Sequence, residues 1–381
     1  MSNRAAGIRW ALSIAGALAL MAGGCSSSGS ESRAGAPVRS SVTRNVNAAG
    51  ANAPGVDVLA VRTRAIRVLE QAVRVDDAQV RANAVEAAGF GSPETDRLIV
   101  AALRDPNEAV RTVAATTIGR RKITAIGPRV LPLLADPSPY VQVSAIFAAV
   151  QTGQTDAGAD IDQSPLAAYL FNQESTRLRA HAAWVLGELR NPSARPMLLE
   201  SARQKLPKAM PGEVRSLQLQ IAEALVKVGD QSAVEGLRSA LYAARPEDLE
   251  GTALAVQILG EVQDRRSIDH MLFLLQYKDR AGQPMPAEVR MGIAIALAKM
   301  GVRDGDFIAD EYRQHPDPVL RQQAAAVYGY TQSALAPDKL LLLLADPDPL
   351  VAVQAAAAIL QLDPGQSSPR GSLPTRASTA R

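Results

Sequence analysis

The chain has 381 residues, of which 47% are hydrophobic and only 4% are aromatic. This composition favours thin layers of helices that meet through small side chains over one bulky globular core. The formal net charge is +3, but residues 56–364 hold 33 basic and 37 acidic side chains, which excludes the basic footprint of a nucleic-acid-binding protein.

The sequence contains one cysteine, Cys25, and three histidines that lie far apart. This composition excludes an internal disulfide, a cysteine-rich zinc site and a Cys–Cys redox pair. No phosphate-binding loop, His-Glu-x-x-His zinc motif or Gly-x-Ser-x-Gly nucleophile elbow is present in the sequence. We therefore predict no metal site, no cofactor and no catalytic residue.

The first element in chain order is an N-terminal targeting segment, residues 1–24. It begins with a short basic region that contains Arg4 and Arg9 and continues as an apolar stretch from Trp10 to Met21. A stretch of about 12 residues is shorter than the roughly 20 that span a bilayer. The segment is therefore typical of a cleaved signal peptide.

The residues Ala22-Gly23-Gly24-Cys25 resemble the lipobox of bacterial lipoproteins, with Ala22 where leucine is most usual. The resemblance implies cleavage before Cys25 and acylation of the new N-terminus with chains such as palmitate. In such lipoproteins, a residue other than Asp after the cysteine, here Ser26, implies the outer membrane if the cell has two membranes. We expect a lipid-anchored protein of the bacterial cell envelope, and an ordinary signal peptide with an incidental cysteine is the alternative.

Two segments of biased composition flank the central region. Residues 25–55 are rich in Ser, Ala, Asn, Gly and Arg, and residues 365–381 are rich in Ser, Pro, Gly and Arg. Neither segment contains enough apolar surface to offset the conformational entropy lost on folding. We predict that residues 25–55 form a flexible tether, that residues 56–364 form the folded body, and that residues 365–381 form a disordered tail.

The body repeats one pattern about nine times. Each copy has an anchor position, often arginine, that follows an apolar residue and precedes a run of small and apolar residues. Relative to the anchor, positions −1, +3, +4 and +7 stay apolar or small and form one stripe of an α-helix. A glycine often stands at position +8. The anchors are Arg81, Arg111, Gln142, Arg179, Gln218, Thr252, Arg290, Arg321 and Ala352.

Proline-marked turns separate the two helices of each repeat. In residues 136–139 and 346–349, which read DPSP and DPDP, the third residue can cap a new helix. The second proline then occupies the first helical turn, where its missing N–H has no cost. The apolar runs before these turns, such as residues 340–344, predict the first helices of their repeats.

This pattern resembles the HEAT-repeat proteins, in particular the short repeats named after phycobilisome lyases, over residues 56–364. The resemblance implies an all-α fold, a right-handed α-solenoid (superhelix) of about nine helix pairs. It also implies that the second helices line the concave side. Nine stacked pairs predict an open body about 85 Å long, with a radius of gyration of about 24 Å or more instead of the 19 Å or so of a globule.

In the HEAT-like family, an Asp six residues before the arginine often links neighbouring turns in a ladder. Asp105 and Arg111 fit this spacing. Asp136 and Asp346 instead precede Gln142 and Ala352, and Arg321 is preceded at this spacing by His315. We therefore expect no ladder at those three repeats.

Candidate partner-binding residues lie at positions +2 and +5 of the second helices, which point away from the apolar stripe. Position +5 places Phe147 and Trp184 on adjacent repeats and adds Glu223, and His181 stands at +2 beside Trp184. Exposed aromatic residues are favoured anchors in protein interfaces. The alternative is that the curvature of the superhelix, or an insertion at residues 151–164, buries these side chains.

Together these features favour a non-enzymatic scaffold, anchored by lipid, that binds a protein or peptide in the cell envelope through its repeat surface. Two alternatives are left open by the sequence. The first is a lyase or isomerase of the same repeat family that handles bilin chromophores. The second is a spacer or assembly factor without a specific ligand.

Overall fold

A computed structural model describes residues 58–91, 93–242 and 249–362. The predicted signal peptide, Cys25, the tether and the tail lie outside the described residues. Within these ranges, no helix combines the length and the apolar character that crossing a membrane requires.

The described chain forms nine consecutive pairs of elements, and almost all of them are α-helices. The pairs are α1 (Val58–Ala72) with α2 (Ala78–Ala88), α3 (Pro93–Ala102) with α4 (Glu108–Arg121), a 3-10 segment (Thr124–Ala135) with α5 (Pro139–Gln151), α6 (Ser164–Leu170) with α7 (Thr176–Glu188), α8 (Arg195–Arg203) with α9 (Pro211–Lys227), α10 (Val234–Ser239) with α11 (Leu249–Glu261), α12 (Ile268–Gln276) with α13 (Ala287–Lys299), α14 (Asp306–Tyr312) with α15 (Pro318–Thr331), and α16 (Ala336–Leu343) with α17 (Pro349–Gln361). The predicted all-α repeat fold is confirmed.

Shorter elements occupy some of the connections. A two-stranded antiparallel hairpin, β1 (Thr155–Asp156) with β2 (Ala159–Asp160), lies in the insertion between α5 and α6. Single 3-10 turns precede α8, α10 and α12 at residues 192–194, 231–233 and 265–267. The first element of the third pair is a 3-10 segment because Pro128 and Pro132 lie inside it, where they would interrupt α-helical hydrogen bonding.

The helix starts follow the capping pattern of the sequence in most repeats. The Asp348 side chain accepts hydrogen bonds from the backbone N–H groups of Leu350 and Val351. Asp317 caps α15 in the same way. Ser138 does not, since its side chain makes no capping bond, and the Ser138 backbone N–H instead donates to Asp136. The aspartate two residues before the cap therefore stabilises that turn.

The glycines at position +8 allow neighbouring second helices to approach closely. A Cβ atom at Gly119 would lie 2.6 Å from the Phe147 ring, and one at Gly187 would lie 2.7 Å from the Ala224 Cα. A Cβ at Gly260 would lie 2.8 Å from the Ala296 Cα. Real Cβ atoms cannot occupy such positions without movement of the neighbouring helix. Glycine at this position therefore sets a short spacing between the second helices.

The second helices form a closed ring. Each one, from α2 to α17, contacts the next second helix along the chain, and α17 packs against both α1 and α2. The Arg62 guanidinium donates to the Leu360 carbonyl oxygen at 3.2 Å across this junction, which we call the seam. The predicted open body of about 85 Å is therefore wrong, because close packing on the inner side curves the superhelix until its ends meet.

Ion pairs between consecutive repeats form a ladder. The Arg111 Nε and Nη2 atoms donate to the Asp136 carboxylate at 2.8 and 2.9 Å. Equivalent rungs are Arg81 with Asp105 and Arg321 with Asp346. Each arginine pairs with the following repeat, while its Nη1 donates to a backbone carbonyl of its own turn, as Arg111 does to Asp105. The expectation that Asp136, Asp346 and Arg321 take no part was wrong, because each aspartate pairs with the arginine of the preceding repeat.

Candidate interaction surfaces

The partner-binding residues predicted from the sequence lie inside the ring. Phe147 is 1% exposed, and His181 and Glu223 are buried as well. The Phe147 and Trp184 rings pack edge to face with centroids 5.3 Å apart, and His181 stacks on Trp184 at 6.0 Å. These three rings are therefore neighbours, as the repeat pattern indicated. The expectation that they are exposed is wrong, because curvature buries them and leaves only Trp184 partly accessible.

His181 belongs to a buried chain of hydrogen bonds. Its Nε2 atom lies 2.9 Å from the Ser144 hydroxyl, and Thr116 donates to the same hydroxyl at 2.9 Å. Burial lowers the pKa of His181 to about 4, against a smaller opposing effect of its hydrogen bond with the Tyr140 backbone. The imidazole is therefore neutral near pH 7. All three side chains are buried, so the chain of hydrogen bonds serves packing.

Glu223 belongs to an ionic cluster at the carboxyl ends of the inner helices. Lys227 binds both Glu223 and Glu188, and Lys299 binds Glu261. Burial raises the pKa of the Glu223 carboxyl. Cations suit this position, because the helix dipoles place partial negative charge at the carboxyl ends.

The ionic cluster extends across the ring. Arg120 on α4 and Glu261 on α11 belong to repeats that are four steps apart in a ring of nine. Burial opposes the charge of Arg120, but attraction by Glu261, Glu188 and Glu86 raises the pKa of the Arg120 guanidinium overall. Acidic side chains from several repeats therefore act electrostatically on Arg120, although the Arg120 side chain itself is exposed to solvent.

The outer surface carries a second group of aromatic residues, which we call the aromatic patch: Tyr242, His270, Phe273 and Tyr277. Tyr242 is 69% exposed and Phe273 is 56% exposed. The rings form a continuous row, with centroid distances of 4.1 Å from Tyr242 to His270, 5.8 Å from His270 to Phe273, and 5.9 Å from Phe273 to Tyr277. The patch joins the outer elements of the sixth and seventh repeats.

The amphipathic geometry of α12 explains the exposure of the patch. Met271 and Leu274 on this helix are buried against the core. His270, Phe273 and Tyr277 follow an i, i+3, i+7 spacing, which places them together on another face. The sequence signal for this surface was a helix with apolar residues on every face. The binding residues predicted from the sequence all lie on second helices, so the prediction did not include this outer helix.

The remaining acidic and histidine side chains of the described residues do not converge on a metal site. Within the ranges that the structure describes, no group of three or more His, Cys, Asp or Glu residues could hold a metal ion. The hairpin residues Asp156 and Asp160 are exposed. Asp162 accepts hydrogen bonds from the Ser164 backbone and hydroxyl at the start of α6, so its role there is local.

Stacked helix pairs with a shared core define an α-helical repeat protein. The HEAT-repeat family matches residues 66–136, 127–210 and 163–254 of the chain. The chain is a HEAT-repeat protein. No sequence match to a curated protein reaches significance.

Several solved structures are similar to this chain. An engineered protein is 17% identical over 82% of this chain and 96% of its own, with a TM-score of 0.31. Human deoxyhypusine hydroxylase in complex with glycerol is 15% identical over 80% and 97%, with a TM-score of 0.33. The CpcE–CpcF complex of phycocyanin lyase from Nostoc sp. PCC7120 is 13% identical over 83% and 98%, with a TM-score of 0.29. None of these likenesses bears on function.

Proposed function

We propose that this protein is a lipid-anchored HEAT-repeat scaffold of the bacterial cell envelope that binds a protein partner and catalyses no reaction. The observation that carries the binding role is the aromatic patch. Tyrosine and phenylalanine supply large contact areas at the centres of interfaces. Three of the 14 Phe, Trp and Tyr residues of the chain lie together in this exposed row, which is costly for a surface without a partner.

The patch has the organisation of a preformed binding surface. Met271 and Leu274 fix α12 to the core, so a partner meets rings that are already positioned and loses little conformational entropy on binding. Arg265, Arg266 and Asp269 are exposed near the same helix. Charged side chains around an apolar centre are typical of a protein interface. We therefore expect the partner to present an apolar or aromatic face.

A paired alanine substitution tests the binding role. Tyr242→Ala with Phe273→Ala removes the two most exposed rings of the patch, and Phe307→Ala is the matched control because Phe307 is also 56% exposed. After crosslinking in cells and purification from membranes, we expect one reproducible neighbour with the wild-type chain and with the control. The double variant should lose that neighbour at equal abundance.

Two results would contradict the binding role. Equal recovery of the neighbour by the double variant would remove the patch from consideration. The absence of any reproducible neighbour with the wild-type chain would favour a spacer or assembly factor. Absorbance of the purified protein between 500 and 700 nm would favour a bilin-handling enzyme instead.

The anchor part of the proposal rests on the lipobox-like residues that end at Cys25. Stable membrane attachment by lipid requires more than one acyl chain, as bacterial lipoproteins carry. We expect Cys25→Ser to leave an unprocessed precursor or a protein that is released from membranes. Ser26→Ala is the control and should be processed normally. Cleavage, acyl labelling and membrane attachment of the Cys25→Ser variant would disprove the anchor.

A further inference from the structure

The ladder lacks its aspartate between the fourth and fifth repeats. Arg179 occupies the ladder position of α7, but the loop between α8 and α9 contains no aspartate. The Arg179 Nη1 atom donates to the Gln204 side-chain oxygen at 2.9 Å. Its Nη2 atom donates to the carbonyl and hydroxyl oxygens of Ser201 at 3.0 and 2.8 Å. The carboxylate of the regular rungs is thus replaced by neutral oxygens.

Arg179 is also incompletely bonded. It is 0% exposed, and its Nε atom has no hydrogen-bond partner among the described residues. In the regular rungs, Nε donates to an aspartate oxygen at 2.8 Å. A buried guanidinium without a carboxylate or a full set of acceptors is energetically unfavourable.

The pKa of the arginine distinguishes this junction from the regular rungs. Hydrogen bonds donated to aspartate carboxylates raise the pKa values of Arg81, Arg111 and Arg321. Burial alone lowers the pKa of Arg179. The interior therefore favours the charge at the regular rungs and opposes it at this one.

A groove of about 280 Å³ lies beside this junction. Its walls are the turn before α7 and the loop between α8 and α9, and the equivalent loop supplies the aspartate of a regular rung. Ser175 and Thr176 line it at the amino end of α7, where the backbone N–H groups and the helix dipole favour an anion.

The charged side chains of the groove leave a positive balance once Arg179 is included. Arg177 and Lys208 line the groove, as do Glu174 and Glu213. Glu174 lies 3.3 Å from the Lys208 ammonium group. Glu213 accepts a hydrogen bond from the Met210 backbone N–H, so it is engaged at the start of α9.

Gln204 links Arg179 to Gln173, a residue of the groove wall. Its side chain is only half-buried, and its oxygen also accepts a hydrogen bond at 3.2 Å from Gln173, which lines the groove. A rotation of this one side chain would therefore break the link between Gln173 and the Arg179 guanidinium and leave the Nη1 atom without this acceptor.

We propose that this groove binds the carboxylate of an acidic peptide side chain, which displaces Gln204 and completes the missing rung on Arg179. The ligand carboxylate accepts hydrogen bonds from Nε and one Nη atom, as Asp136 does from Arg111. This site is distinct from the aromatic patch and goes beyond the proposed function.

Titration of the full mature protein with N-acetyl-aspartate amide tests the site, because this probe carries one carboxylate and no other charge. At constant ionic strength, the NMR resonance of the Arg179 side-chain Nε should shift as the probe is added and then reach a plateau. We expect Arg179→Gln to weaken binding at least tenfold. Gln204→Asp places a carboxylate inside the protein, so it should also weaken binding at least tenfold and raise the unfolding temperature. Arg321→Gln, which alters a regular rung, should bind as the wild-type chain does.

Three outcomes would overturn the proposal. The first is an unchanged Arg179 resonance in the wild-type chain, and the second is undiminished binding by Gln204→Asp. The third is a shift of the Arg179 resonance with sodium chloride that equals the shift with N-acetyl-aspartate amide. The Gln204→Asp variant decides the matter if Arg179→Gln fails to fold. Because capture through the aromatic patch is measured separately, failure of this site leaves the proposed function intact, and the reverse also holds.

Discussion

Two aromatic clusters of similar composition have opposite environments in this protein. Tyr140, His181, Trp184 and Phe147 form a row of ring contacts inside the ring of helices, and the aromatic patch forms a similar row outside it. The second helices that carry the inner cluster have neighbours on both sides, whereas an outer helix leaves one face to solvent. Position in the ring therefore decides whether an aromatic side chain contributes to folding or is available for recognition.

The largest expected effect that distinguishes the clusters is the loss of an inner ring. Phe147→Ala should lower the free energy of unfolding by about 3–5 kcal/mol, because it removes a buried ring and leaves a cavity between α4, α5 and α7. Denaturant unfolding monitored by circular dichroism measures this change. A loss below about 1 kcal/mol would mean that the inner cluster is not packed as described.

Acidification should weaken the inner cluster through His181. The pKa of this buried side chain is lowered from 6.5 to about 4, so between these pH values the unfolded chain binds a proton that the folded chain does not. The contribution of the neutral His181 side chain to the free energy of unfolding is fully present above pH 6.5 and is lost as the pH falls towards 4. The loss amounts to roughly 3 kcal/mol.

Comparison with a variant isolates the His181 effect. Unfolding free energies measured at pH 7 and pH 4.5 should differ much less for His181→Gln than for the wild-type chain. Direct NMR titration should place the His181 pKa near 4. A value near 6.5 would show that water reaches the imidazole and that the interior is open.

A smaller effect is expected at the glycine that lies against the inner cluster. Gly119→Ala would place a Cβ atom 2.6 Å from the Phe147 ring and 3.0 Å from the Ala148 Cα. We expect a loss of about 1–3 kcal/mol from this overpacking. The control is Gly236→Ala on α10, where nothing lies within 4 Å of the added atom. It should stabilise the protein by up to about 1 kcal/mol. Equal behaviour of the two variants would refute the close approach.

The smallest effect on stability is expected in the aromatic patch. Phe273→Ala should change the free energy of unfolding by less than about 0.5 kcal/mol, because the ring is 56% exposed and fills no cavity. Thermal unfolding measures this alongside partner capture. A loss comparable to that of Phe147→Ala would mean that the patch is structural and that the two clusters do not differ.

Much of the fold could be predicted because its signals are local. The apolar stripe and the proline turns specify helix pairs within each 30- to 39-residue repeat. Closure could not be predicted in this way, because it depends on small rotations that accumulate over nine junctions. The glycines at position +8 were visible in the sequence, but their distance to the next helix was not.

The ladder and the binding surface were also predicted only in part, because both depend on contacts between repeats. Arg111 lies 25 positions before Asp136, Arg321 lies 25 before Asp346, and Arg81 lies 24 before Asp105, so a nearly constant offset between repeats was present in the sequence. The predicted ladder instead used the shorter offset of six residues between the aspartate and the arginine of one repeat. The contact of Phe147 with Trp184 followed from their equivalent positions. Their exposure did not, since it depends on which surface the curvature encloses.

Contact between the first and last helix pairs has a consequence for how such a chain can evolve. Nine junctions share one full turn, so each must contribute about 40° on average. An open array tolerates duplication or loss of a repeat at its ends, but here either event would leave a gap or a collision at the seam. Changes of length are therefore confined to the loops, such as residues 151–164, 204–213 and 277–287, and copy number becomes a geometric requirement of the protein.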